Sequence, residues 1–149
     1  MTGSGLRNPA ELPGRLGLSD PADLLLIDAP ASLAEILSAA RPGGRAPVAV
    51  AARELRSVKA RFAAVLLWRE SRIGSRAALD DALRRLEPGG VLWVVVAARK
   101  VIGPETPAAH RLNREDLRKA LEPAGLTPDR EVRVSAWHVA YRFSPAAAT

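Results

Sequence analysis

Apolar positions along this chain fall into two kinds of run. Leu24–Ile27, Phe62–Trp68 and Val91–Ala97 are short and nearly unbroken, the pattern of strands covered on both faces of a sheet. Val48–Ala52 is another run of the same kind, entered by Pro47, which suits a strand's first residue. Between these runs the spacing changes. Leu33, Ile36, Leu37 and Ala40 fall at i, i+3, i+4 and i+7, as do Leu79, Ala82, Leu83 and Leu86, so each set forms one apolar helix face. The first helix is expected to open at Ser32, whose S-x-x-E spacing to Glu35 suits a capping box, and to stop at Pro42-Gly43-Gly44. The second is expected from Ser75 to Leu86, ended by Glu87-Pro88-Gly89-Gly90. Arg53–Ala60 is expected as a short helix with Leu55 and Val58 inward.

Beyond a loop over Arg99–Leu112, Asn113 can cap a last helix, with Asp116 three residues on and Leu117, Ala120 and Leu121 inward. Gly125 stands where a left-handed cap is wanted. From Glu131 to Phe143 the alternation switches frame, with Val132, Val134 and Ala136 in one and Trp137, Val139, Tyr141 and Phe143 in the other. Such a switch means a tight turn or a bulge, and two short strands are the favoured reading. Strands alternating with helices, then a β pair, predict an α/β fold: a doubly wound, mainly parallel sheet with an antiparallel C-terminal strand. Residues 1–15 and 144–149 lack periodicity and are expected as disordered tails around a single domain over 16–143.

Composition narrows the chemistry. The 149 residues, 48% of them hydrophobic, suit one globular domain. The absence of cysteine excludes a disulfide scaffold, a zinc ribbon and a thiol nucleophile. No apolar run is long enough to cross a bilayer, and no leader pattern follows Met1, so we expect a cytoplasmic protein with no membrane partner. Charge is uneven. Between Arg41 and Arg76 stand nine bases (Arg41, Arg45, Arg53, Arg56, Lys59, Arg61, Arg69, Arg72 and Arg76) against Glu54 and Glu70. A concentrated positive field suits an anionic ligand or nucleic acid. The competing reading is a solvated, arginine-rich surface.

Several residues resemble a known fold family. Leu79–Ala97, with Leu86-Glu87-Pro88-Gly89-Gly90-Val91, resembles the helix, L-x-P-G-G, strand segment of class I methyltransferases, and the Asn113 helix and strand pair resemble that fold's C-terminal end, with one strand–helix unit omitted. The chain is also similar to a small bacterial family on this fold, domain of unknown function 3052. That likeness rests on Leu16-Gly17-Leu18, Ala29-Pro30, Pro88-Gly89-Gly90, Leu112–Glu115, Trp137 and the strand ending at Phe143. It implies a fold and no activity.

The methyltransferase likeness implies where S-adenosylmethionine (SAM) would bind: a glycine-rich turn after the first strand, and an acid on the ribose at the end of the second. Here that turn is Asp28-Ala29-Pro30-Ala31-Ser32, without glycine, and Ala52-Arg53 stand at the second place. Pro30 also lacks an N–H. Asp28 remains as a polar group at a strand's carboxyl end, where such sheets place ligands, or as a turn residue bonded to local backbone. After the third strand, Trp68-Arg69-Glu70-Ser71 departs from the amino-methylating N/D-P-P-Y/F pattern. Trp68 either lines a cleft or covers the core edge. Glu70 is either a base or, flanked by Arg69 and Arg72, part of a surface ion pair. His110 and His138 lack ligand-spaced partners, so no metal site is expected, and His138 is expected on half-exposed sheet surface.

The ligand-cleft candidates are therefore Asp28, Ala29, Pro30, Ser32, Arg53, Trp68, Arg69, Glu70 and Arg72, with no catalytic residue assigned. Arg53, Arg69 and Arg72 are expected to converge at the carboxyl edge, with Arg41 and Arg45 toward the opposite edge. The reading this favours is a methyltransferase-like binding or interaction module without methyl transfer and without a cofactor. The alternative is a divergent SAM-dependent methyltransferase.

Overall fold

The computed structural model describes residues 6, 8–18, 23–40, 46–98 and 106–146. Six strands, β1 (Leu24–Ile27), β2 (Val48–Val50), β3 (Phe62–Trp68), β4 (Leu86–Ala97), β5 (Leu126–Arg133) and β6 (His138–Pro145), form one sheet. Its order is β2-β1-β3-β4-β6-β5. The first four strands are parallel, and β6 runs antiparallel to both β4 and β5. Helices α1 (Leu12–Leu16) and α2 (Ala31–Ala39) contribute to one core cluster. Helices α3 (Ser75–Arg84) and α4 (Arg114–Leu121) contribute to the other. Successive strand residues feed the two clusters in turn: Leu24, Leu26, Trp93 and Val95 one, Leu25, Ile27, Val94 and Val96 the other. That alternation is the period of a strand with both faces covered. The mainly parallel doubly wound sheet is thus present, and Val94 has no exposed surface. Among the described residues, no helix is long and apolar enough to cross a membrane.

Local chemistry moves several boundaries. Helix α2 starts at Ala31, not Ser32. Pro30 is extended at the N-cap and its carbonyl accepts from both Leu33 and Ala34, so Ser32 sits inside the first turn and caps nothing. The expected stop at Pro42-Gly43-Gly44 lies outside the described residues. Strand β2 is an edge strand with Val48 41% exposed, so apolar character there does not bring two-sided burial. The segment after it is a 3-10 turn over Ala52–Ser57, not an α-helix, although Leu55 is buried as expected.

Helix α3 ends at Arg84, and Leu86 already pairs with Phe62. The next pair is Ala64 with Val91, so Glu87–Gly90 bulge out of the ladder rather than ending a helix. A Cβ on Gly90 would lie 2.8 Å from the Ala63 carbonyl oxygen, and Gly89 has φ +81°. Both positions need glycine. Strand β5 begins at Leu126, ahead of the expected Glu131: as an edge strand it tolerates Pro128, which stays in register opposite Phe143, and the irregularity that follows leaves out Asp129. The termini also extend the domain. Leu12 and Leu16 are buried in α1, within or beside the stretch read as a tail, and Ser144 and Pro145 complete β6.

Candidate functional site

The parallel strands end together at one edge of the sheet, and two polar constructions stand there. The first is at β1. Asp28 has φ +58°, unusual for a residue with a side chain. Its N–H donates to the Val50 carbonyl at 2.9 Å, and its Oδ1 accepts from the Ala52 N–H at 3.0 Å. The carboxylate of β1's end therefore sits against the end of β2. Asp28 does bond backbone, as turn chemistry predicts, but the backbone of the neighbouring strand's exit rather than its own. Glu54 is occupied locally, accepting from the Ala51 N–H at 2.9 Å. Ala29 packs on the core, Pro30 caps α2, Ser32 is half-buried, and Arg53 is exposed on the 3-10 turn.

The second construction follows β3. Its exit is zipped to residues 106–112: Leu112 donates to the Glu70 carbonyl at 2.8 Å and Arg72 to the His110 carbonyl at 2.7 Å. Glu70 turns inward. Its Oε2 lies 2.6 Å from His138 Nε2, and its Oε1 accepts from the Thr106 N–H at 3.3 Å. On the other side of the ring, Nδ1 lies 2.9 Å from Ser135 Oγ, which accepts from the Trp137 N–H at 3.1 Å. A neutral ring carrying its proton on Nε2 would donate to Glu70 and accept from the Ser135 hydroxyl at Nδ1. Burial raises the Glu70 carboxyl, but the hydrogen bonds from His138 and Thr106 and the nearby imidazole together outweigh it, and the group ends below its ordinary value. Trp68 lies over the imidazole, ring centroids 4.6 Å apart and planes at 47°.

These contacts correct three expectations. Glu70 is not in an ion pair with Arg69 or Arg72. Arg69 folds back onto the Ser71 and Ile73 carbonyls, and Arg72 pairs with Asp116 at 3.2 Å. Arg69 and Arg72 thus hold different segments, and Arg53 follows β2, which β1 separates from β3. Arg41 and Arg45 lie outside the described residues. His138 is buried, not half-exposed, because β6 lies between β4 and β5 rather than at an edge. Sequence reasoning missed His138, Ser135 and Thr106. The Glu70–His138 pair spans 68 residues, and no local spacing announces it. Among the described residues, no group of three or more His, Cys, Asp or Glu could hold a metal ion.

No protein-family model matches the chain, and no curated protein matches it in sequence. Solved structures do. The structure of the pyocyanin biosynthetic protein PhzM is 15% identical with a TM-score of 0.67, covering 93% of this chain. A SAM-dependent methyltransferase from Aquifex aeolicus is 14% identical with a TM-score of 0.69, covering 95% of this chain. Magnesium protoporphyrin IX methyltransferase from Synechocystis PCC 6803, with bound S-adenosylhomocysteine (SAH), is 12% identical with a TM-score of 0.60. This chain spans 54% of the PhzM chain but 92% of the Aquifex chain. At such identities the likeness is one of architecture: the chain has the Rossmann-like fold of class I methyltransferases.

Proposed function

We propose that the domain binds a SAM-type nucleoside at the carboxyl edge of its sheet, as a divergent SAM-dependent methyltransferase. One observation carries the reading beyond fold. The second strand brings no acid for a ribose, yet the Asp28 carboxylate reaches that place from the adjacent strand, 3.0 Å from the Ala52 N–H. Its other oxygen, Oδ2, has no hydrogen-bond partner among the described residues. The fit to SAM is therefore partial. Asp28 suits the ribose hydroxyls and its positive φ keeps the tight turn, while Ala29 and Pro30 bring Cβ atoms where glycine would let a cofactor approach. Bound SAM would supply an electrophilic methyl group; the chain's own part is to hold the nucleoside through Asp28. The sequence likeness to domain of unknown function 3052 belongs to this proposal and lends it no activity, since no family model matches the chain.

A second reading, a binding module without methyl transfer, is favoured by His138. Both ring nitrogens are engaged, by Glu70 and Ser135, so neither is free to take a proton from an acceptor. Calorimetric titration with SAH separates the two. The nucleoside reading expects saturable binding, weakened about tenfold or more by Asp28→Ala through loss of a charged hydrogen bond. Asp28→Gly, which keeps the left-handed backbone, should lose as much. No heat at millimolar SAH would leave the module reading standing and the methyltransferase reading overturned.

A further inference from the structure

We propose a second site: the cavity between the start of α4 and the ends of β4 and β6 that meet it binds a small organic anion with an apolar body, such as a phosphate ester or carboxylate. The cavity has a volume of about 650 Å³, within the range of small-molecule pockets. Its floor is apolar, made by Val96 and Ala97 of β4, Val139 of β6 and Leu112, with Tyr141 beside them. Four arginines, Arg72, Arg111, Arg114 and Arg118, stand around it with one acid, Glu115, in the lining and two more, Asp116 and Glu122, paired to Arg72 and Arg118. A greasy floor under a ring of guanidinium groups matches an amphipathic anion, since guanidinium forks suit carboxylate and phosphate oxygens.

Three of these arginines are held in place. Arg72 Nε pairs with Asp116 at 3.2 Å, and Arg118 Nε with Glu122 at 3.2 Å. Arg111 donates to the Thr106 carbonyl at 2.9 Å and the Ala98 carbonyl at 3.3 Å. Arg114 is different. It is exposed, and it has no ion pair or hydrogen bond to its side chain among the described residues. It is also the first residue of α4, where the helix dipole disfavours a cation. The Asn113–Asp116 box already closes that helix start, with Asp116 N–H to Asn113 Oδ1 at 2.8 Å. The Arg114 guanidinium thus contributes nothing to folding that the structure reveals, and it stands at the rim of a cavity whose other cations are fixed. An incoming anion would give it the partner the fold does not.

This proposal does not rest on the nucleoside reading, because Asp28 is not among the residues that line the cavity. The test uses phenyl phosphate as probe, added without SAM or SAH to isotope-labelled protein and followed by amide NMR shifts. Saturable shifts are expected at Val96, Ala97, Val139 and Arg114. Phenyl phosphate should bind about tenfold or more tighter than inorganic phosphate, and phenol should not saturate, because head and floor both contribute. Arg114→Ala should weaken binding several-fold, and Arg114→Glu further, with unchanged spectra elsewhere since the side chain is exposed. No saturation by about 10 mM, weaker than any specific affinity worth the name, would overturn the proposal. So would full affinity in Arg114→Glu, equal affinity for inorganic phosphate, or shifts confined to the Arg53–Lys59 segment.

Discussion

At Glu70, burial and hydrogen bonding pull in opposite directions, and hydrogen bonding wins. Its folded value is depressed, so its stabilisation is present above the unfolded value, about 4.3, and fades as pH falls through the lower folded one. Glu70→Gln should therefore lower stability at pH 7 by about 1.5–3 kcal/mol, the range for a hydrogen bond to a charged group. It should also flatten the stability curve below about pH 4.3. Chemical denaturation of both proteins from pH 7 to 3 measures this. Parallel curves in acid would mean that the Glu70–His138 contact is not formed in solution. Asp129 follows the same logic in the open: Arg142 lowers its carboxyl first, against a smaller effect of burial, and Ser144 adds to the lowering. That pair is exposed enough that its contribution should be small.

Elements were legible where one local cause sets them. The α4 start is the clearest case, since Asn113 and Asp116 form the reciprocal cap that their spacing promised. Asn113→Ala should cost about 1 kcal/mol, and a thermal melt unchanged from wild type would refute the cap. The four parallel strands and the frame switch before β6 were legible for the same reason: burial writes a period into the sequence. Legibility ended where a partner from elsewhere decides. Pro30 overrode the Ser32–Glu35 spacing by accepting the first-turn amides itself. Gly89 and Gly90 read as a helix stop, but the neighbouring strand makes them a bulge. Gly90→Ala tests that reading, because the new Cβ would meet backbone at Ala63 rather than a movable side chain. It should destabilise by about 1–3 kcal/mol as overpacking does, whereas an ordinary exposed helix stop would tolerate alanine easily. The candidate site was legible on one side of each contact, Asp28 and Glu70. The other sides, Ala52 and His138, come from the topology.

Across the whole molecule, the segment before the first strand carries more weight than its composition suggests. Glycine and proline make residues 1–15 look unstructured, yet Leu12 is buried and, with Leu16 and Leu18 just beyond that stretch, joins the core cluster of Leu33 and Leu37 of α2 and the β1 and β4 face. Leu6 forms an antiparallel bridge with Ser135, the residue whose hydroxyl holds His138. The N-terminal segment therefore covers one face of the sheet and also braces the turn behind the Glu70–His138 pair. Leu12 has no exposed surface, so Leu12→Ala should cost about 2–5 kcal/mol, the range for emptying a core site. For a chain of this length that is a fall in melting temperature of several degrees or more. Ile73→Ala, at a side chain 66% exposed, should change almost nothing and serves as the control. Removing residues 1–18 should do more than Leu12→Ala, because it strips the apolar cover from Leu33, Leu37 and Trp93 together. A truncated protein that melts with wild-type stability would return this segment to the status of a tail.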